Sequence, residues 1–321
     1  MWKYIAKRIL MMIPVLLGVV IFIFVILQSS PGDPAKIILG ENATAQEVEE
    51  LREEMGLNDP MIVQFGRYFK GLLHGDLGES YVSGIPVIDE LKARFPVTLS
   101  LASLSVLLMV LIGVPIGIIS AVKQYSWLDN LLMSFTLISI SMPTFWVGML
   151  LVLQFSLKMR LLPATGWNGI EYMIIPVITT ALSQSAQMAR MTRSSMLEVI
   201  RSDYIRTARA KGQSEKVVIL RHAFKNSLLP IITVVGIQMG MALGGVLVTE
   251  NVFAIPGIGS YMLTAIMGRD YPVVQGGVIL IALSFSIVNL IVDIIYAYVD
   301  PRIMAQYKSA GRRKKIKKSE S

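Results

Sequence analysis

Six long apolar segments decide what this chain can fold into. Each is long enough to cross about 30 Å of hydrocarbon at about 1.5 Å per helical residue. They are residues 9–27, 98–122, 131–157, 173–189, 228–249 and 273–299. Hydrophobic residues make up 54% of the chain and charged residues only 16%, whereas ordinary globular domains are roughly 25% charged. The sequence therefore predicts an all-α membrane protein with a bundle of six transmembrane helices.

The first apolar segment has the appearance of a secretory signal, because Lys3, Lys7 and Arg8 precede it. A signal core is shorter, about 7 to 15 residues, and ends at a small-residue cleavage site. The segment from Ile9 to Leu27 is longer, and no such site follows it. We therefore expect a transmembrane helix that is retained in the protein.

The distribution of lysine and arginine predicts the orientation, since basic residues are retained on the cytoplasmic side of a membrane. Residues 190–225 contain nine of them, and the tail from Arg302 contains eight. Both termini and the loop 190–227 are therefore expected in the cytoplasm, and residues 29–96 outside it. The same topology accounts for the net charge of +8, so the partner that this charge indicates is the lipid bilayer and not a nucleic acid.

The segment outside the cytoplasm carries the signals of three short amphipathic helices. Thr44 and Glu47 form a capping box ahead of the first helix, and Gly56 stands at its expected end. Asp59 is expected to cap the second, with Pro60 at its first helical position. The third is marked by the apolar set Val87, Ile88, Leu91 and Phe95. Packing against the bundle and docking of a partner both remain open as roles for this segment.

The long cytoplasmic loop also has a helical pattern. Asp203 begins a helix that Gly212 ends, and Ser214 can cap a second helix that runs towards Pro230. Between them the glycine allows a sharp turn. The sequence thus predicts two helices joined at a glycine, with a surface rich in arginine and lysine.

Residue types that carry chemistry are scarce, and we expect no catalytic residue, bound cofactor or metal site. The chain has no cysteine, and its two histidines, His74 and His222, lie on opposite sides of the membrane in this topology. No glycine is followed by lysine, so the phosphate-cradling loop of many ATPases is missing. If ATP drives this protein, another chain binds it. A membrane-embedded enzyme is accordingly disfavoured.

Charge at membrane depth is typical of ion-coupled carriers and channels, which form the alternative class. The central parts of five apolar segments contain no charge, and the sixth contains Asp293. We interpret Asp293 as a structural contact, to Asn289 or to a neighbouring helix, in preference to a proton relay. The fifth segment carries Gly236, Gly240 and Gly244 at four-residue spacing, which lets another helix approach closely. That helix could belong to this subunit or to a second one.

Several motifs occur along the chain in a specific order. They are Pro31-Gly-Asp-Pro34, Gly75-Asp-Leu-Gly78, Ser141-Met-Pro-Thr-Phe-Trp146, Met191-Thr-Arg-Ser-Ser-Met-Leu-Glu-Val199, Asp203-Tyr-Ile-Arg-Thr-Ala-Arg-Ala-Lys-Gly212, Phe253-Ala-Ile-Pro-Gly-Ile-Gly259, Arg269-Asp-Tyr-Pro272 and Asp300-Pro-Arg302. With them the chain resembles, from Met1 to about Ile303, the permease subunits of bacterial ABC importers. The resemblance is to the B-type subunit of the dipeptide, oligopeptide and nickel group.

The resemblance implies where the chain would contact an ATPase. Importer permeases share a cytoplasmic signature of Glu-Ala-Ala, three residues and Gly, followed by Leu-Pro. Here Arg206-Thr-Ala208 stands in place of Glu-Ala-Ala, so a basic residue replaces the acidic one, and Gly212 and Leu229-Pro230 match the rest. The residues expected in this ATPase-coupling loop are Asp203, Arg206, Thr207, Ala208, Lys211, Gly212, Gln213, Ser214, Glu215, Leu229 and Pro230.

The resemblance also implies a complex in the bacterial cytoplasmic membrane. Its other members would be a homologous second permease, two cytoplasmic ATPases that bind ATP and magnesium, and an extracytoplasmic substrate-binding protein. Short peptides are the expected cargo, with a nickel chelate, glutathione or a sugar as alternatives. A peptide needs a wide polar path, for which the candidates are Ser183, Gln184, Gln187 and Gln238.

These inferences divide the chain into four parts. Residues 1–28 form the N-terminal tail and first transmembrane helix, and residues 29–96 the extracytoplasmic segment. Residues 97–300 form a transmembrane domain of five helices, interrupted by the coupling loop at about 190–227. Residues 301–321 form a basic cytoplasmic tail.

Overall fold

The computed structural model describes residues 2–29, 32–40 and 42–299. Within these ranges the protein is α-helical, with an isolated β-bridge between Glu79 and Pro86 in place of any strand. The helices are α1 (Trp2–Ser29), α2 (Pro34–Leu39), α3 (Ala45–Glu54), α4 (Met61–Leu73), α5 (Val87–Val122), α6 (Trp127–Ser141), α7 (Thr144–Leu151), α8 (Ile170–Ile200), α9 (Asp203–Ala210), α10 (Glu215–Val217), α11 (Leu228–Gly245), α12 (Leu247–Val252), α13 (Ile258–Met267) and α14 (Tyr271–Val299). The predicted all-α class is confirmed. The predicted tail 301–321, Pro31 and the motif Asp300-Pro-Arg302 lie outside the described residues.

Three helices of the described part are long and apolar enough to cross a membrane, namely α1, α5 and α14. Two bent pairs raise the number to five if each pair is one span. These are α6 with α7, and α11 with the helical turns that precede it. Helix α8 covers the fourth predicted segment but falls outside this group, because polar side chains such as Gln184 and Gln187 lower its hydropathy. The number of six spans stays a prediction.

The third predicted segment, 131–157, is not one straight helix. Helix α6 ends at Ser141, and α7 leaves it at an angle of 101°. Between them Met142 has an extended backbone with ψ 130°, which is the conformation favoured before a proline. Pro143 then precedes α7, where its missing N–H costs nothing. A π-helical turn, Val152–Lys158, continues α7.

The segment 29–96, for which the sequence predicts a position outside the cytoplasm, contains two of the three helices predicted for it. The capping box of Thr44 and Glu47 is present at the start of α3, and Gly56 follows that helix with φ +65°. Asp59 does not cap α4, which begins after Pro60, because its carboxylate is paired with Arg67. The third predicted helix, at 87–95, is the first part of the continuous 36-residue helix α5. A further short helix, α2, was not predicted.

The centre of the bundle is the contact between α5 and α8. A side chain at Gly113 of α5 would come within 2.7 Å of the Ser185 carbonyl oxygen, and one at Gly117 within 2.6 Å of that of Ala189. The two backbones therefore approach as closely as glycine allows. Fully buried side chains surround this contact, among them Leu101, Met109, Met188 and Met196.

Helix α14 closes the bundle against α11 and α1. The glycine stripe Gly236, Gly240 and Gly244 faces Val292, Phe285 and Ile281 of α14. The helix that approaches this stripe in the structure therefore belongs to the same chain. On the other side, Arg8 of α1 forms an ion pair of 2.9 Å with Asp293. Asp293 thus contacts a neighbouring helix, as its structural interpretation predicts.

Candidate functional site

A cavity of about 620 Å³ with both polar and apolar lining, here called the polar cavity, lies between α8, α11, α12 and the break that separates α6 from α7. All four predicted path residues, Ser183, Gln184, Gln187 and Gln238, line it. The other lining residues are Ile140, Thr144, Phe145, Thr180, Arg190, Met241, Ala242, Val246, Val248 and Thr249. The fold thus brings the candidates together, and their role in transport stays a prediction.

One face of α8 provides most of the polar lining. Thr180, Ser183, Gln184, Gln187 and Arg190 recur at three- and four-residue spacing, which aligns them along a helix. The opposite face carries the small residues that contact α5. Helix α8 is therefore amphipathic, but its polar face borders a cavity, whereas the polar face of a surface helix usually contacts solvent. Its other face is buried in the bundle.

The cavity offers both donors and acceptors of hydrogen bonds. Gln238 Nε2 donates to Gln187 Oε1 at 2.8 Å, and the hydroxyls of Thr180 and Thr249 lie 3.3 Å apart. Gln184 Oε1 is buried and has no hydrogen-bond partner in the described structure. Neutral amide and hydroxyl groups of this kind can exchange hydrogen bonds with a polar solute without binding it as tightly as charges would.

A second cavity, of about 630 Å³, follows along the same helix. It is lined by Met133, Arg190, Arg193, Ser194, Leu197, Glu198 and Arg201, so Arg190 borders both cavities. Arg193 is held by the buried carboxylate of Asp129 on α6, through bonds of 2.9 and 2.7 Å to its two oxygens. This two-bond pair fixes α6 to α8 beside the cavity.

The predicted coupling loop forms a compact helical unit. Helix α9 buries Ile205 and Ala208 against the π-helical turn Val218–Phe224, which follows α10. Gly212, between the two, has φ +76°, a conformation that residues with a side chain rarely adopt. The remaining predicted residues of the turn are exposed: Asp203, Arg206, Thr207, Lys211, Gln213, Ser214 and Glu215. The buried side holds the loop together, and the exposed side is free for a partner.

Polar contacts close the glycine turn. Arg209 donates to Glu215 at 2.6 Å across it, and this hydrogen bond lowers the pKa of the Glu215 carboxyl. Ser214 stands at the N-cap of α10, as predicted, but its side chain makes no capping bond. The second predicted helix does not run on to Pro230, since the chain bends by 57° before α11. Leu229 and Pro230 are instead in the first turn of α11.

Glu250, which sequence reasoning missed, is fully buried in α12, the short helix that follows α11. Its carboxylate accepts hydrogen bonds from the Thr98 hydroxyl at 2.6 Å and from the Ser260 N–H at 2.9 Å. Thr98 in turn accepts from the Ile258 N–H, so the free amides at the start of α13 are satisfied. The sequence signal for this contact is a glutamate shortly before the motif Pro-Gly-Ile-Gly. The glycine matters because a side chain at Gly259 would lie only 3.0 Å from the Glu250 carboxylate.

The segment 29–96 borders a wider cleft of about 890 Å³. It lies between the ends of α1 and α14 and the segment that contains α2, α3 and α4. Arg52 of α3 bridges to Asp33 at 3.1 Å, and Asp270 before α14 accepts from the Tyr81 N–H at 3.1 Å. The first contact holds the segment together, and the second fixes it to the bundle. In the described part of the chain, no three side chains of the types His, Cys, Asp or Glu come together as metal ligands.

Comparison with known proteins gives matches over nearly the whole sequence. Residues 113–305 match the family described as binding-protein-dependent transport system inner membrane component, and residues 1–102 match the N-terminal region of such membrane components. The dipeptide transport system permease protein DppB of Alkalihalophilus pseudofirmus is 43% identical over 94% of this chain and 99% of its own. The glutathione transport system permease protein GsiC of Escherichia coli K12 is 42% identical over the same shares.

Among solved structures, the fold is similar to a chain of the MetNI methionine ABC transporter in an inward-facing conformation. The TM-score is 0.58 at 18% identity, over 66% of this chain and 97% of that one. At this identity the likeness concerns the fold alone. It extends the similarity from sequence to the arrangement of the helices.

Proposed function

The chain belongs to the family of binding-protein-dependent transport system inner membrane components, and from this premise we propose that it carries short peptides across the membrane as half of a translocation pathway. It is a multi-pass permease subunit of the ABC importer class. The observation that carries the cargo proposal is the cavity lined by Ser183, Gln184, Gln187 and Gln238. A peptide backbone is a series of amide donors and acceptors, and the glutamine and hydroxyl side chains there offer complementary groups.

The lining disfavours a bare metal ion as cargo. Nickel and related ions bind to imidazole, thiolate or carboxylate groups, and none of these occurs among the described residues that line the cavity. Glutathione is the second candidate, because GsiC relatives are named for its transport and it is itself a small peptide. A nickel chelate or a sugar would pass the same neutral surface and is left to the experiment below.

The expected partners follow from the class of transporter. A second permease would face the polar side of α8 and complete the pathway. Two ATPases, which bind ATP and magnesium, would contact the exposed side of α9 and the turn at Gly212. An extracytoplasmic binding protein would deliver cargo on the side of the 890 Å³ cleft. Both termini and the loop with α9 and α10 are then cytoplasmic.

Transport by the complete importer tests this proposal. The complex, reconstituted in proteoliposomes with its binding protein, is given labelled peptides of two to five residues, glutathione, a nickel chelate and a sugar. We expect ATP-dependent uptake of the peptides, and affinity of the binding protein for the same compounds. Uptake of only the nickel chelate or only the sugar would overturn the peptide assignment. The same result would leave the family assignment intact.

A further inference from the structure

Arg190 stands out among the residues that border the polar cavity. It is the charged side chain of the described lining, at the point where the first cavity meets the second. Within the described residues its guanidinium forms no hydrogen bond and no ion pair, and its side chain is exposed. An arginine has five N–H donors in a planar fork, so this site has unused capacity for an anion.

Two neighbouring arginines have hydrogen-bond partners, which Arg190 lacks in the described structure. Arg193, one turn further along α8, is bound through two nitrogens by Asp129. Arg201 donates to Gln124 at 3.3 Å. The fold therefore supplies partners for both of these arginines and leaves Arg190 open towards the cavity. Carboxylate is the group whose geometry best matches a guanidinium fork.

Gln184 supplies the complementary group at the other end. Its Oε1 is buried at the cavity and lacks a donor in the described structure. From position 184 to position 190, at about 1.5 Å per residue, the distance along the helix axis is about 9 Å. An extended peptide advances about 3.3 to 3.6 Å per residue, so about two to three residues span this distance.

We propose that Arg190 is the specificity-determining residue of the cavity and binds the C-terminal carboxylate of a short peptide, whose N–H groups donate to Gln184 Oε1. This inference rests on the proposed transport of peptides and adds the orientation of the cargo. The carboxylate end leads towards the second cavity, which Arg190 also borders. The neutral amide pair Gln187 and Gln238 lies between the two ends of the bound peptide.

A loss of activity alone would not distinguish carboxylate binding by Arg190 from a structural role. The distinguishing measurement is the preference of the importer for a peptide with a free C-terminal carboxylate. The experiment compares a tripeptide with its C-terminally amidated form, both at concentrations that saturate the binding protein, in proteoliposomes with the complete importer. The variants are Arg190→Gln and Arg190→Lys. Arg160→Gln serves as the matched control, because it removes the same charge from an exposed arginine away from the cavity.

We expect Arg190→Gln to lower uptake of the free acid about tenfold under these conditions, since a charge-assisted hydrogen bond is lost. The amide should change by less than about twofold because it never had that bond. Arg190→Lys should keep most of the preference, and Arg160→Gln all of it. Equal losses for acid and amide, in an assembled complex, would show that Arg190 has a structural role or holds the second permease. If the wild-type importer takes up no peptide, the proposed function fails first and this inference falls with it.

Discussion

Gln238 on α11 donates a 2.8 Å hydrogen bond to Oε1 of Gln187 on α8. The two residues are 51 positions apart in the chain, and both line the polar cavity. Their hydrogen bond joins the two helices beside this cavity.

Replacement of Gln238 by methionine keeps the length of the side chain but removes the amide. We expect a loss of peptide uptake by several fold, because Gln187 then turns its unpaired amide to the path. The melting temperature in detergent should change little, since the net contribution of such a hydrogen bond is about 0.5 to 1.5 kcal/mol. Gln46→Met on the exposed face of α3 is the control. Unchanged uptake in Gln238→Met would argue against this cavity as the path.

Substitutions at Gly212 can test coupling to the ATPase, because a side chain there is limited by the backbone conformation and not by lack of space. No atom lies within 4 Å of a Cβ built there, so a side chain has room, but φ is +76°. Gly212→Val should therefore distort the turn, because this conformation costs an L-residue about 1–2 kcal/mol and a β-branched one more. We expect it to abolish substrate-stimulated ATP hydrolysis while the protein still inserts in the membrane. Gly212→Asn should retain the coupling, since asparagine tolerates φ above zero.

The exposed basic face of α9 is expected to contact an acidic cleft of an ATPase. Reversal of Arg206 and Lys211 to glutamate should release the ATPases, because complementary charge becomes like charge. The fold of the loop should persist, as Ile205 and Ala208 remain buried. Co-purification of the ATPases measures the effect. The control is Lys36→Glu with Lys70→Glu, the same charge change in the segment predicted to lie outside the cytoplasm, which should leave the complex intact. Full assembly in both double variants would mean that another loop binds the ATPase.

The predicted orientation can be tested by cysteine labelling without first replacing any natural cysteine, because the chain contains none. Single cysteines at Asn42 and Gln213 should react with a membrane-impermeant thiol reagent from opposite sides of the membrane. Asn42 lies before α3, and Gln213 is exposed in the turn after α9. Reaction of both sites from the same side would show that the basic-residue rule gives the wrong topology for this chain.

Glu250 should matter for stability more than for transport selectivity. Glu250→Leu removes the acceptor for the first amides of α13, and each buried donor left unpaired costs about 1–3 kcal/mol. We expect a clear fall in melting temperature, followed by tryptophan fluorescence in detergent. Glu250→Gln should be milder, because its amide oxygen still accepts one of these bonds. Equal stability of the leucine variant and the wild type would mean that the helix start is satisfied in another way.

Local features were predicted well from the sequence. The capping box of Thr44 and Glu47 formed where expected, because all of its partners lie within one helical turn. The turn at Gly212 between α9 and α10, where φ is positive, was predicted equally well. By contrast, Asp59 was assigned to a helix cap and instead pairs with Arg67, since a nearby guanidinium competes with backbone amides for a carboxylate. The break at Met142-Pro143 was overlooked because the apolar run continues through it.

The length and hydrophobicity of the segments were enough to predict membrane helices, because these properties depend on each segment alone, and the ordered motifs carried the resemblance to importer permeases. Which side chains meet was decided by the tertiary structure. Arg8 pairs with Asp293, and Thr98 donates a hydrogen bond to Glu250. The polar face of α8 borders a cavity because Gly113 and Gly117 allow its other face to pack closely on α5. Such contacts join residues from distant segments. Their partners depend on how whole helices pack, which no local pattern encodes.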